Sequence, residues 1–279
     1  MKVTKPLQWH PHLSDPTERR EAKPRSLGKT MVIDKGLGLH ALEDLMQTAG
    51  MHIDMIKIGF GTSPLYPTPL LQKKIELIKS QDVLVYPGGT FLEVAIRQNA
   101  LDDYFHMVSS MGFNALEVSD GTIEVPRSLR SELIRRGREE GFLIITEYGK
   151  KCWGSKIEID ELIETVIIDA QLGAELITIE GRESGKGVGI FDAQGACKDE
   201  QIEEVLHQVP SPNLLLWEAP HKEQQVHLLN MLGVDIHLGN IAPGDIISLE
   251  ALRRGLRSDT LLMGKERRSE NELAPNWEI

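Results

Sequence analysis

The feature that most constrains this chain is a pattern met eight times along it: a short β-branched run, a glycine-rich or polar turn, then an amphipathic stretch. The runs are TMVID (30–34), MIKI (55–58), VLVY (83–86), ALEV (115–118), LIITE (143–147), LITIE (176–180), LLLWE (214–218) and VDIHL (234–238). Their starts lie 20 to 38 residues apart, which leaves room for a helix between each pair. Strands joined by crossover helices run parallel, and eight such units in roughly 250 residues close into a (β/α)8 barrel. A doubly wound open sheet is the alternative arrangement of the same units. In "SLRSELIRRGREEG" the helical pattern ends at Gly141, where a glycine past the last turn is expected.

No linker-like stretch divides the 279 residues, so one α/β domain, a TIM barrel, is expected over residues 23–261. An irregular, proline-bearing N-terminal arm (1–22) precedes it and a polar tail (262–279) follows. The 41% hydrophobic content is enough for a sizeable core. A net charge of −11 argues against a nucleic-acid partner, but a few cations in a pocket can still outweigh distant surface acids. The two cysteines, Cys152 and Cys197, form no disulfide framework or CxxC pair. With no apolar run long enough to span a bilayer and no signal-peptide core, a cytoplasmic protein without membrane partners is expected.

Active sites of such barrels form at the C-terminal ends of the strands. Three consecutive runs end in an acid: Glu147, Glu180 and Glu218. Three carboxylates at one height repel unless cations intervene. Either each pairs with a nearby Lys or Arg, or a hard ion that prefers oxygen ligands, such as Mg²⁺, sits among them. Lys57 interrupts the apolar run MIKI and is expected to point into the barrel mouth rather than snorkel through the helix layer. Several strand exits are rich in glycine or cations: Lys35 after the first, Gly88, Gly89 and Thr90 after the third, Lys150 and Lys151 after the fifth. Glycines and helix N-termini bring backbone N–H groups to an anion. "HLGNIAPGDI" places Asn240 and a turn after the last strand, where barrels often bind phosphate.

The exit "TIEGRESGKGVG" (178–189) looks like a nucleotide phosphate loop but matches neither motif. Only three residues separate Gly181 from Gly185, and Gly187 stands where Walker A needs a hydroxyl; Gly185, Gly187 and Gly189 are too evenly spaced for G-x-G-x-x-G. Its Arg182 and Lys186 instead suit an anionic substrate, with Glu183 orienting one of them and the glycines letting backbone approach the ligand. No zinc-type His/Cys spacing and no G-x-S-x-G elbow is present.

Read together, "KPRSLGKTMVIDKGLG", "IDMIKIGFGTS", "VYPGGT", "EVSDGTIEV", "EYGKK", "IEGRESGKGVGIFD" and "LGNIAPGDIISLEALRRGLRSDTL" resemble the phosphosulfolactate synthase family over nearly the whole chain. That family includes an archaeal enzyme of coenzyme M biosynthesis, bacterial homologues and plant heat-stress-associated relatives. The resemblance implies a Mg²⁺-dependent lyase that adds sulfite to C3 of phosphoenolpyruvate, giving (2R)-phospho-3-sulfolactate. It further implies an acid that protonates C2. A lysine whose pKa is lowered by neighbouring cations suits that step, Lys150 first, with Lys151, Lys57 and Lys35 as alternatives. Arg182 and Lys186 would hold phosphate or sulfite. The expected partners are these small anions and, as in many barrels, further copies of the chain. Other readings are a metal-dependent enzyme using another nucleophile on a similar acid, and a non-catalytic stress-associated barrel.

Overall fold

In the computed structural model, residues 9–265 are described; residues 1–8 of the arm and 266–279 of the tail lie outside them. A short helix, α1 (Pro11–Ser14), leads into β1 (Thr30–Asp34), α2 (Leu39–Ala49), β2 (Met55–Ile58), α3 (Thr68–Lys79) and β3 (Leu84–Pro87). Two helices, α4 (Gly89–Arg97) and α5 (Leu101–Met111), separate β3 from β4 (Ala115–Val118). There follow α6 (Arg127–Glu139), β5 (Leu143–Tyr148), α7 (Ile159–Leu172), β6 (Ala174–Ile179), α8 (Asp199–Gln208), β7 (Leu215–Glu218), α9 (Lys222–Leu232), β8 (His237–Ile241) and α10 (Ile246–Arg253). The eight strands form one sheet in the order β3-β2-β1-β8-β7-β6-β5-β4, and every paired ladder is parallel. The remaining seam is closed by Asn114 rather than a ladder. Its N–H donates to the Val85 carbonyl (3.3 Å), and its side-chain oxygen accepts from the Val85 N–H (2.7 Å). The result is a nearly closed barrel with helices between the strands, in a single domain.

Strand alternation decides what lies inside. Met31, Met55, Tyr86, Ala115, Ile145, Leu176 and Leu216 face inward and plug the barrel, while Val32, Ile56, Val85, Leu116, Ile144, Ile177 and Leu215 face the helices. Because both faces are buried, each strand reads as nearly continuous apolar sequence. Two residues beyond the plug, the inward positions on β2, β4, β5 and β7 are Lys57, Glu117, Glu147 and Glu218: a charged floor on an apolar plug. Gly141 has φ +90° immediately past α6, as the sequence predicts.

Most strand limits lie within one or two residues of expectation, and two of the differences bear on the site. β6 ends at Ile179, so Glu180 is the first residue of the loop. β8 begins at His237, because residues 233–236 are used in turning from α9, so Asn240 lies inside the strand rather than after it. Among the described residues, no helix is long and apolar enough to cross a membrane.

Candidate active site

The strand ends surround a cavity of about 150 Å³ lined by residues from seven of the eight strands and their exits. At its floor Lys57 Nζ lies 2.9 Å from Glu117 Oε1, 3.0 Å from Glu147 Oε2 and 3.3 Å from Glu218 Oε1. All three carboxylates are essentially buried. Burial opposes the ammonium, but Glu117, Glu147 and Glu218 outweigh it and hold Lys57 well above the ordinary lysine range. The placement of Lys57 in the mouth follows from the strand alternation.

Above this floor stands Lys151, one-quarter exposed, with Nζ 2.6 Å from Glu147 Oε1, 3.4 Å from Thr90 Oγ1 and 3.6 Å from Glu180 Oε2. Burial again works against its charge, but Glu147 and then Glu180 raise its pKa. Burial alone would raise Glu147, yet the Lys151 and Lys57 ammoniums hold it well below the usual carboxylate range. The structure therefore reverses one expectation about the lysines of the cavity: they stand among carboxylates rather than cations, and their pKa values are raised, not lowered.

Lys150 points the other way. Its Nζ donates to the Asp120 carbonyl (2.8 Å) and pairs with Asp120 and Glu124 at 3.5 and 3.2 Å, outside the cavity lining. The chain leaves β5 through Gly149 (φ +125°), so the two adjacent lysines diverge. Lys35 is half-exposed and pairs with Glu183 (3.2 Å), so Glu183 orients Lys35 rather than Arg182 or Lys186. Lys186 is exposed and absent from the lining, whereas Arg182 lines the cavity and its guanidinium makes no ion pair with the described residues.

The three acids singled out as metal ligands do not share one situation. Glu147 is occupied by two ammoniums; Glu218 pairs with Lys57 and accepts the Gly181 and Arg182 N–H groups at 3.0 and 3.1 Å. Glu180 accepts the Arg182 N–H through Oε1 (2.6 Å) and leaves Oε2, buried, without a hydrogen bond. Burial and then the charges of Glu147 and Glu218 push Glu180 well above the usual carboxylate range. Asn240 Oδ1 is the other buried oxygen of the lining without a hydrogen bond. A register shift explains its position: Thr30 and Val32 of β1 pair with Leu238 and Ile241, so β8 carries one extra residue. This bulge, with Asn240 at φ +55°, re-aims the carboxamide into the mouth, a device common beside active sites. A buried carboxylate oxygen and a buried amide oxygen, both unsatisfied, are the donor chemistry that a hard cation takes.

The glycines act differently from expectation. A Cβ on Gly181 would lie 2.7 Å from the Glu218 carbonyl oxygen, and one on Gly189 would lie 2.4 Å from the Glu180 carbonyl oxygen. Gly187 lies against the Trp153 ring. These glycines let the loop fold onto its own protein. Gly88 and Gly89 do line the cavity, at the start of α4, but the Gly89 N–H is already given to Glu117 Oε2 (2.6 Å).

Sequence reasoning gave three lining or floor residues no role: Glu117, which sits just inside the exit of the fourth strand, Ile33 and Phe60. The signal for Glu117 was present, since it occupies the same inward register position as Glu147, two residues past the plug. Burial pushes its carboxyl up to about 7 despite Lys57.

Comparison with known proteins adds family to geometry. The chain matches the family described as (2R)-phospho-3-sulfolactate synthase (ComA) over residues 18–259. It is 39% identical over 247 residues to the phosphosulfolactate synthase of Methanothermobacter thermautotrophicus, covering 88% of this chain and 95% of that one. With the enzyme of the same name from Methanocaldococcus jannaschii the figures are 40% over 235 residues, 84% and 93%. Protein HEAT-STRESS-ASSOCIATED 32 of Arabidopsis thaliana is more distant, 25% identical over 199 residues, covering 65% and 68%. Among solved structures, the YdjI aldolase from Escherichia coli K12 is similar with a TM-score of 0.52 at 11% identity, over 82% of this chain and 86% of that one, a likeness of fold alone.

Proposed function

Because the chain belongs to the (2R)-phospho-3-sulfolactate synthase family, we propose that it joins sulfite to C3 of phosphoenolpyruvate in the barrel mouth, with Lys151 returning a proton to C2. The observation that carries this reading is the cavity itself: small, with the Lys151 ammonium inside it and the unpaired guanidinium of Arg182 at its edge. Such a cavity suits a small polyanion.

In the reaction the sulfite sulfur forms a bond to C3, and the electrons of the C2–C3 double bond move to C2 and the carboxylate. A proton must then reach C2 from one face. Lys151 rather than Lys150 is the candidate, because its Nζ is inside the cavity and Lys150 is turned to Asp120. Its raised pKa keeps it charged at any working pH, and a carbanion-like C2 is basic enough to take the proton. The neutral amine left behind lies 2.6 Å from Glu147, whose charge favours its reprotonation from solvent. Arg182 would clamp phosphate or sulfite. Lys57 cannot approach a substrate freely, since three carboxylates hold it; its part is to fix Glu147 and Glu218. Mg²⁺, if bound, would be held by Glu180 Oε2 and Asn240 Oδ1 and would supply stabilisation of the negative charge spreading into the substrate carboxylate.

The test is to incubate the purified protein with phosphoenolpyruvate and sulfite, with Mg²⁺ and with excess chelator, and to follow substrate loss. Turnover that the chelator removes is expected; no turnover under any condition overturns the reading. Binding of phosphoenolpyruvate without turnover would instead favour an enzyme that brings another nucleophile to the same site.

A further inference from the structure

Phe60 is an unusual residue for this cavity. Most of the lining is charged, amide or glycine, and its apolar members are Ile33 and Phe60. Phe60 is 49% exposed, so it is not there to fill the core. It has φ +57°, a conformation that a bulky side chain adopts at a cost and that persists only where the surroundings impose it. Phe60 lies between Gly59 and Gly61; a Cβ at Gly59 would already be 3.2 Å from the Ile33 side chain, and one at Gly88 would be 3.5 Å from the Phe60 nitrogen. Ile33, at the end of β1, and Phe60, just past β2, both line the cavity on the β1–β2 side of the mouth. Lys151, Glu180, Arg182 and Glu183 enter the lining from the loops that follow β5 and β6, which are not neighbours of β1 and β2 in the sheet order.

We propose that Phe60 is a specificity-determining residue of the synthase reaction, forming with Ile33 the wall against which the methylene carbon of the acceptor rests, so that only an unsubstituted CH₂ end is admitted. The inference rests on the function proposed above. Phosphoenolpyruvate is itself two-sided, with phosphate and carboxylate on C2 and an apolar methylene at C3, so the polar groups take the charged side of the cavity and the methylene takes the wall. A substituent on C3 would meet the ring.

The experiment compares two acceptors, phosphoenolpyruvate and its 3-methyl homologue, with sulfite as nucleophile, in the wild type and in Phe60→Ala. The ratio of kcat/KM for the methyl acceptor to that for phosphoenolpyruvate is expected to rise at least tenfold in Phe60→Ala. An intermediate ratio is expected in Phe60→Leu. Phe60→Asn, which tolerates a positive φ, is expected to melt no lower than the wild type, as a residue kept for function and not for stability would. An unchanged ratio in Phe60→Ala, with phosphoenolpyruvate still turned over, overturns the inference and leaves the synthase reading intact. Absence of wild-type turnover on phosphoenolpyruvate and sulfite removes both. A large fall in melting temperature for Phe60→Asn would show Phe60 to be structural and also overturn the inference.

Discussion

The two ends of this barrel bury charge in opposite ways. At the N-terminal end, Arg25 donates to Asp54 (2.9 Å), to the Met51 carbonyl (2.7 Å) and to the Glu21 carbonyl (3.0 Å), while Asp54 also accepts the Thr30 N–H (2.8 Å). Arg20 meets Glu250 through two nitrogens, and Arg253 gives hydrogen bonds to the carbonyls of Val234, Ile236 and Lys29. At the C-terminal end five buried carboxylates, Glu93, Glu117, Glu147, Glu180 and Glu218, share two ammoniums, Lys57 and Lys151. The first end gives each of these cations a carboxylate or carbonyl partner within the chain, although Arg20 Nη2 and Arg253 Nε make no hydrogen bond; the second leaves an excess of acid, with Glu117 Oε1 and Glu180 Oε2 without a hydrogen bond. Buried charge that is fully paired holds a fold together, while buried charge left short of a partner is poised to take one from a ligand.

That contrast can be broken most forcefully at Lys151. Lys151→Ala should lower kcat by about 10²–10⁴-fold, the range of a positioned general acid, while Lys150→Ala stays near wild type. Steady-state rates on both variants decide it, and the reverse order would return the acid role to Lys150.

Next in size, Arg25→Ala at the opposite end should cost about 3–5 kcal/mol of unfolding free energy, because Asp54 is left buried without its cation. Denaturant unfolding measures the loss, and kcat of the folded fraction should not change. Glu180→Gln should do the converse: activity lost, stability equal or higher by about 1 kcal/mol, since a buried carboxyl whose ionisation is opposed by burial and by Glu147 and Glu218 is replaced by an amide. A Glu180→Gln protein that is both active and less stable would erase the distinction between the two ends.

The smallest effect is in pH dependence, where the ends oppose each other. Glu117 at the mouth is pushed up to about 7, above its unfolded value of about 4.5, so across that window the folded state holds more protons and this group's contribution is lost as pH rises. His237 at the other end is lowered by burial to about 4 from about 6.5, so between those values the unfolded state binds more protons and stability is lost as pH falls. At about 1.4 kcal/mol per unit, each contributes about 3 kcal/mol, and in the wild type the two oppose each other. Melting curves from pH 4 to 8 should rise steadily with pH in Glu117→Gln over the His237 window, and should fall with pH in His237→Asn. Parallel curves for the wild type and both variants would show that neither group couples to folding.

Much of this molecule was legible in its sequence. Eight β-branched runs separated by helix-length stretches sufficed for the barrel, because a parallel strand buried on both faces must be apolar throughout. The interruption of one such run by Lys57 was enough to place that lysine in the mouth, since an inward position is the one that gives a buried ammonium carboxylate partners. Glu147, Glu180 and Glu218, read from the sequence as strand ends, were likewise visible at the right end of the barrel. Period-two alternation also carried Glu117, which sits at the same depth as Glu147.

What the sequence did not hold was direction and partnership. Lys150 and Lys151 are adjacent and chemically identical; a glycine at positive φ just before them sends one into the cavity and the other to Asp120. Asn240 reads as a loop residue until the extra residue of β8 turns it inward, and a bulge is a property of two paired strands, not of one. Which of three similar glutamates stays unsatisfied depends on where Lys57, Lys151 and the amides of residues 181 and 182 fall in space. The repeat thus determined the barrel and the end at which its chemistry gathers, because period and polarity are local. Only the tertiary structure decided which cation meets which acid, because those distances are set by strands far apart in the chain.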